Sequence, residues 1–127
     1  MVNDEWFASF KDWPQAIYYQ HYLRNVGLGT ELDRLGQTVA HMYGVNVERI
    51  KSRSKLSNLV EARVVFTMIA RCDCEKTFKT IGQWMGRDHS TIMHHVKAYN
   101  DWLSMPQYYG KQLMRYEACL KVWRGEK

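Results

Sequence analysis

The chain has 127 residues, of which 46% are apolar and 13% aromatic, with a formal net charge of +5; this is enough for one globular core and too little for two large domains. Its longest apolar run falls far short of the roughly 20 residues that a bilayer crossing needs, and the start carries Asn3, Asp4 and Glu5 instead of a basic and then apolar leader, so a soluble cytoplasmic protein is expected. The positive charge is concentrated: residues 49–97 hold ten Lys/Arg against four Asp/Glu, whereas residues 1–48 hold three against six. That distribution suits a protein with one anion-facing surface.

In chain order, residues 1–30 form an aromatic segment with Trp6, Phe7, Phe10, Trp13, Ile17, Tyr18, Tyr19 and Tyr22, in which Pro14 is placed to open a helix; Gly27 and Gly29 mark its boundary. Leu32, Leu35, Val39 and Met42 recur at three or four residues and predict a helix over 31–43, ended by Gly44. A short turn over 46–50 follows, with Val47 and Ile50 on one side. The polar, basic stretch KSRSKLS from Lys51 to Ser57 reads as an exposed connection.

Asn58 with Glu61 three residues later has the spacing of a capping box and predicts a long helix over 59–72, apolar on most sides and therefore central. Thr77 is expected to cap a short helix with Phe78, Ile81 and Met85 inward, closed by Gly86 and Arg87. Asp88 then caps a longer helix with Ile92, Val96, Tyr99 and Leu103 on one stripe. Two helices joined by so tight a turn form a helix-turn-helix. After Pro106, Tyr109, Leu113, Tyr116, Leu120 and Trp123 predict a last amphipathic helix whose stripe needs a partner, either the protein's own core or a second subunit. No segment alternates like a strand, so the fold class is all-α.

The stretch from Ile81 to Ile92, IGQWMGRDHSTI, carries the function. A helix entering the major groove offers its first-turn side chains to base edges. Here those are Asp88, which can accept from a cytosine amino group, His89 and Ser90, which can donate or accept, and Thr91, whose methyl can meet a thymine methyl. The backbone N–H groups and hydroxyls of the same turn favour phosphate oxygens. Chemistry alone weighs this equally against an ordinary helix start in which Asp88 only caps and His89 is merely exposed.

The run from about Gln37 to Leu103, and above all Arg-Asp-His-Ser-Thr placed after Ile-Gly, resembles the C-terminal DNA-binding domain of DnaA, the bacterial replication initiator. The resemblance implies a helix-turn-helix bundle of that domain's Trp-repressor-like type over 31–103, to which the residue pattern adds an N-terminal helical extension over 1–30 and a C-terminal helix over 104–127. It also implies base contacts from Asp88, His89 and Ser90 and a minor-groove contact from Arg53 or Lys55. Phosphate contacts are implied for Arg63, Thr77, Lys79, Arg87, Thr91 and Lys97, with Phe78 close by.

The sequence departs from the family in having one glycine before Arg-Asp-His where two are usual, in lacking a Pro-x-Gln around Arg63, and in placing His95 where a small residue is usual. It also has no GxxxxGK[ST] loop and no room for the ATPase domain. No nucleotide, cofactor or metal is therefore expected, and ATP-driven origin melting is not expected of this chain.

A metal enzyme is disfavoured because His94 and His95 point about 100° apart on a helix and His89 lies more than a turn away. Cys72, Cys74 and Cys119 do not repeat a paired CxxC pattern and read as reduced thiols. The expected function is thus non-enzymatic, sequence-specific binding of double-stranded DNA at a site like the initiator's box, in the cytoplasm at the nucleoid. The alternative is an adaptor that recruits a replication factor, or a second copy, through its aromatic flanks.

Overall fold

A computed structural model describes residues 30–125; the aromatic segment 1–29 and residues 126–127 lie outside the described part. Six helices follow one another: α1 (Glu31–Tyr43), α2 (Val47–Lys51), α3 (Ser57–Cys72), α4 (Phe78–Met85), α5 (His89–Ser104) and α6 (Pro106–Trp123). No strand occurs among the described residues, and none of their helices is long and apolar enough to cross a membrane.

Helix α3 is the hub, packing against all five others. Leu59 and all nine residues from Ala62 to Ala70 are buried, among them Phe66, Val65 and Ile69 with no exposure. A helix apolar nearly all round has to be central, because no orientation would leave a polar face to water. Helix α1 starts at a capping box formed by Thr30 and Asp33 and ends at Gly44, where φ is 66°.

Two expectations need correction. Helix α3 begins at Ser57 and lacks a side-chain cap. Glu61, expected to cap it, is turned inward, where both its carboxylate oxygens bind Arg115 of α6 and one also accepts the Tyr43 hydroxyl at 2.6 Å. A charge-assisted, nearly buried pair outcompetes a solvent-exposed backbone amide for that carboxylate.

The second concerns α5: Leu103, expected on the buried stripe, is 51% exposed, whereas Trp102 is 6% exposed. Helix α6 lies against the Trp102 flank, with Tyr99 between the rings of Trp102 and Tyr116 at 6.1 and 5.0 Å, so burial near the end of α5 follows α6 and leaves the stripe.

The stripe of α6 is covered by the protein's own core: Tyr116, Leu120 and Trp123 are buried, and Tyr109 and Leu113 are half-buried. A hydrogen-bonded pair, Arg124 Nη2 to Asp73 Oδ1 at 2.6 Å, ties its end to the end of α3.

Candidate nucleic-acid interface

Helices α4 and α5 meet at a turn of three residues, Gly86, Arg87 and Asp88. Gly86 sits at φ 71°, in the left-handed region that a side chain rarely adopts, and its N–H closes α4. Gly82 is the other required glycine: a Cβ there would stand 2.7 Å from the Arg87 carbonyl, which the turn folds back onto α4. The Arg87 N–H in turn donates to the Gly82 carbonyl at 2.8 Å. One glycine before Arg-Asp-His therefore suffices to reverse the chain.

Asp88 caps α5 as expected. Its Oδ1 accepts from the Thr91 N–H at 3.0 Å and from the Ser90 hydroxyl at 2.8 Å, and these bonds hold its carboxyl below the usual carboxylate range. The first turn of α5 is thus locked with Asp88, His89 and Ser90 exposed at its tip. The His89 ring meets the Phe78 ring edge-on at 5.9 Å, and the Arg71 guanidinium lies over the other ring partner's π-system, 4.9 Å from the centre of Phe78. Helix α4 therefore presents the ring that orients His89.

Thr77, Lys79 and Lys97 are exposed, and Thr91 is half-exposed. Thr77 also caps α4 through the Thr80 N–H at 3.1 Å. Arg53 and Lys55 are exposed on the loop between α2 and α3, and that loop is joined to the α4–α5 turn by Arg87, whose Nη1 reaches the Lys51 carbonyl at 3.4 Å and whose Nη2 donates to the Ser52 carbonyl. The loop is thus tied to the turn that carries the tip of α5, and burial first, then the charge of Arg53, lowers the Arg87 pKa.

Arg63 departs from expectation. It is 5% exposed, and its guanidinium is spent on carbonyls: Ile50 at 2.7 Å, Ser54 at 2.7 Å, Ser52 at 2.8 Å and Arg49 at 3.3 Å. A side chain so enclosed is not presented to a phosphate. Burial first, and then the charge of Arg87, lowers its pKa. The sequence shows Arg63 on the most apolar helix, a signal for burial that the resemblance outweighed.

Two residues escaped the sequence reading. Trp84 stacks on Phe66 at 4.2 Å and donates to Asp33 Oδ1 at 2.8 Å, so α4 is fastened to both α3 and α1. Lys51, whose Nζ lies 4.1 Å over the Trp84 ring, adds a cation beside the loop, and its place in the basic KSRSKLS run was the available signal. His95, the departure noted in α5, is packed inward, with Nδ1 2.9 Å from the Thr67 hydroxyl; burial first, then Arg63 and Arg87, depress its pKa to about 4.

No set of three His, Cys, Asp or Glu side chains placed to hold a metal occurs among the described residues. Cys72, Cys74 and Cys119 are free thiols, and burial pushes Cys74 up to about 12.

The family described as the bacterial DnaA protein helix-turn-helix matches residues 32–98, more than half of the 127. The chain belongs to that family. Its matched region is a DNA-binding helix-turn-helix and not an enzymatic domain. Among curated relatives, the chromosomal replication initiator protein DnaA of Streptococcus mutans is 39% identical over 70 residues, covering 54% of this chain and 15% of the relative. The corresponding protein of Porphyromonas gingivalis is 25% identical over 90 residues, covering 70% of this chain and 19% of the relative. The chain thus spans less than a fifth of the length of these DnaA proteins. No solved structure matches.

Proposed function

We propose that this DnaA-type helix-turn-helix binds double-stranded DNA sequence-specifically, at a site like the initiator's box, and acts as a regulator, competitor or accessory factor in replication or transcription at the nucleoid. Asp88, His89 and Ser90 read bases in the major groove, and Arg53 or Lys55 enters the adjacent minor groove. Thr77, Lys79, Thr91 and Lys97 grip the phosphates, while the Arg87 guanidinium, expected there too, is engaged by the Lys51 and Ser52 carbonyls and supports the loop. No nucleotide is required for this binding.

The observation that carries the reading is the exposed, capped tip of α5 joined through Arg87 to a loop bearing two exposed cations. Polar side chains fixed at a helix N-terminus match base edges, and flanking cations supply the salt-dependent part of the affinity. The adaptor reading draws less support from α6, because its stripe is buried against α1, α3 and α5.

Selection of bound duplexes from a random pool tests the proposal. Enrichment of one asymmetric motif related to the initiator's box supports it. A pool that stays random after rounds of selection contradicts it.

A further inference from the structure

The loop from Lys51 to Leu56 carries the two minor-groove candidates, yet it is short of backbone bonds of its own. Its local support is serine-based: Ser52 Oγ donates to the Arg49 carbonyl at 2.6 Å, and the Ser54 and Leu56 N–H groups reach Ser52 Oγ and Ser54 Oγ at 3.3 and 3.4 Å. From outside the loop, hydrogen bonds arrive from Arg63 of α3 and Arg87 of the α4–α5 turn. Both donate to the same Ser52 carbonyl.

Resting on the DNA-binding reading above, we propose that Arg63 and Arg87 are positioning residues that clamp this loop, so that Arg53 and Lys55 meet the duplex in a fixed register with the tip of α5. The chemistry demands arginine. A planar guanidinium offers five N–H donors in a fork, and Arg63 spreads them over the carbonyls of residues 49, 50, 52 and 54. The point charge of a lysine cannot span that set.

Two of those carbonyls, on Arg49 and Ile50, belong to the last turn of the five-residue helix α2, where the Arg49 carbonyl also accepts the Ser52 N–H and hydroxyl. The carbonyls of Ser52 and Ser54 each precede one minor-groove candidate. Arg87 precedes Asp88, the cap of the reading helix, so its bond to Ser52 joins the loop to the residue next to the tip. Carbonyl dipoles, with no carboxylate of the described residues paired to either side chain, offset two neighbouring guanidinium charges, and this leaves the surface positive toward a polyanion.

The test uses the full chain carrying Arg87→Gln and, separately, Arg63→Lys, the second chosen because it keeps a buried cation and so guards against simple unfolding. Amide hydrogen exchange of the DNA-free protein should speed up by about tenfold across residues 52–56 in both variants while α3 and α5 keep their protection. On the selected duplex, Lys55→Ala should cost about tenfold in affinity in the natural background and less than about threefold beside Arg87→Gln, with the base preference set by His89 retained.

Additive losses, or loop exchange that does not change, would overturn the clamp. If the natural chain prefers no duplex, the DNA-binding reading fails on its own. The exchange measurement still decides the anchoring then: a faster loop upholds it and an unchanged one rejects it.

Discussion

His89 owes its usefulness to its neighbours. An exposed imidazole on a mobile stem would lose side-chain entropy on meeting a base, whereas the Phe78 edge and the Arg71 cation above Phe78 restrict the ring beforehand. Phe78→Ala should therefore weaken the preferred duplex by about fivefold to tenfold with a smaller effect on random DNA, measured by competition titration. Lys79 and Lys97 are of another kind: removing either should weaken all duplexes alike and lower the slope of log affinity against log salt by about one unit.

His95 predicts a pH dependence of stability. Its folded pKa, about 4, lies below the ordinary histidine value of 6.5, so the unfolded chain binds more protons between those limits. Stability from this site is fully present above pH 6.5 and is lost as pH falls toward 4, by an amount on the order of 1–3 kcal/mol. Urea unfolding at pH 7.5 and 4.5 should show that loss, and His95→Gln should shrink it. An equal acid loss in both proteins would contradict the assignment.

At the scale of elements, the α4–α5 turn is the most demanding piece. Gly82→Ala places a methyl 2.7 Å from the Arg87 carbonyl, a clash with backbone that no rotamer relieves. The expected result is a stability loss of about 1–3 kcal/mol by denaturant titration, with DNA binding lost in proportion to the displaced turn.

Helix α1 was legible from its apolar period and terminal Gly44, α4 from the Thr77 cap, its period and Gly86, and α5 from the Asp88 cap and the break at Pro106. The start of α3 was misread because Asn58 and Glu61 have capping-box spacing, and local spacing cannot reveal that Arg115, 54 positions later, holds the carboxylate. Arg63 was misread for the same reason: its partners on α2 and the loop become neighbours only after folding. The capped start of α5 with Asp88, His89 and Ser90 was visible in the sequence, since a helix tip is a local feature.

At the scale of the molecule, the described residues form a DnaA-type helix-turn-helix with α6 built into its core. Cys119, Val122 and Trp123 are buried together with residues of the other helices. Trp123→Ala should cost about 3–5 kcal/mol in thermal or denaturant unfolding, and a chain ending at residue 105 should fail to fold cooperatively. The arrangement gives a rigid base from which one tip and one loop project.

The central claim is that the tip of α5 reads bases. Titration of the natural protein and of His89→Ala against the selected duplex and a scrambled one of equal length, at one salt concentration, tests it most directly. The account predicts a loss of about 1–3 kcal/mol on the selected duplex and far less on the scrambled one. An equal loss on both would contradict base reading by that residue.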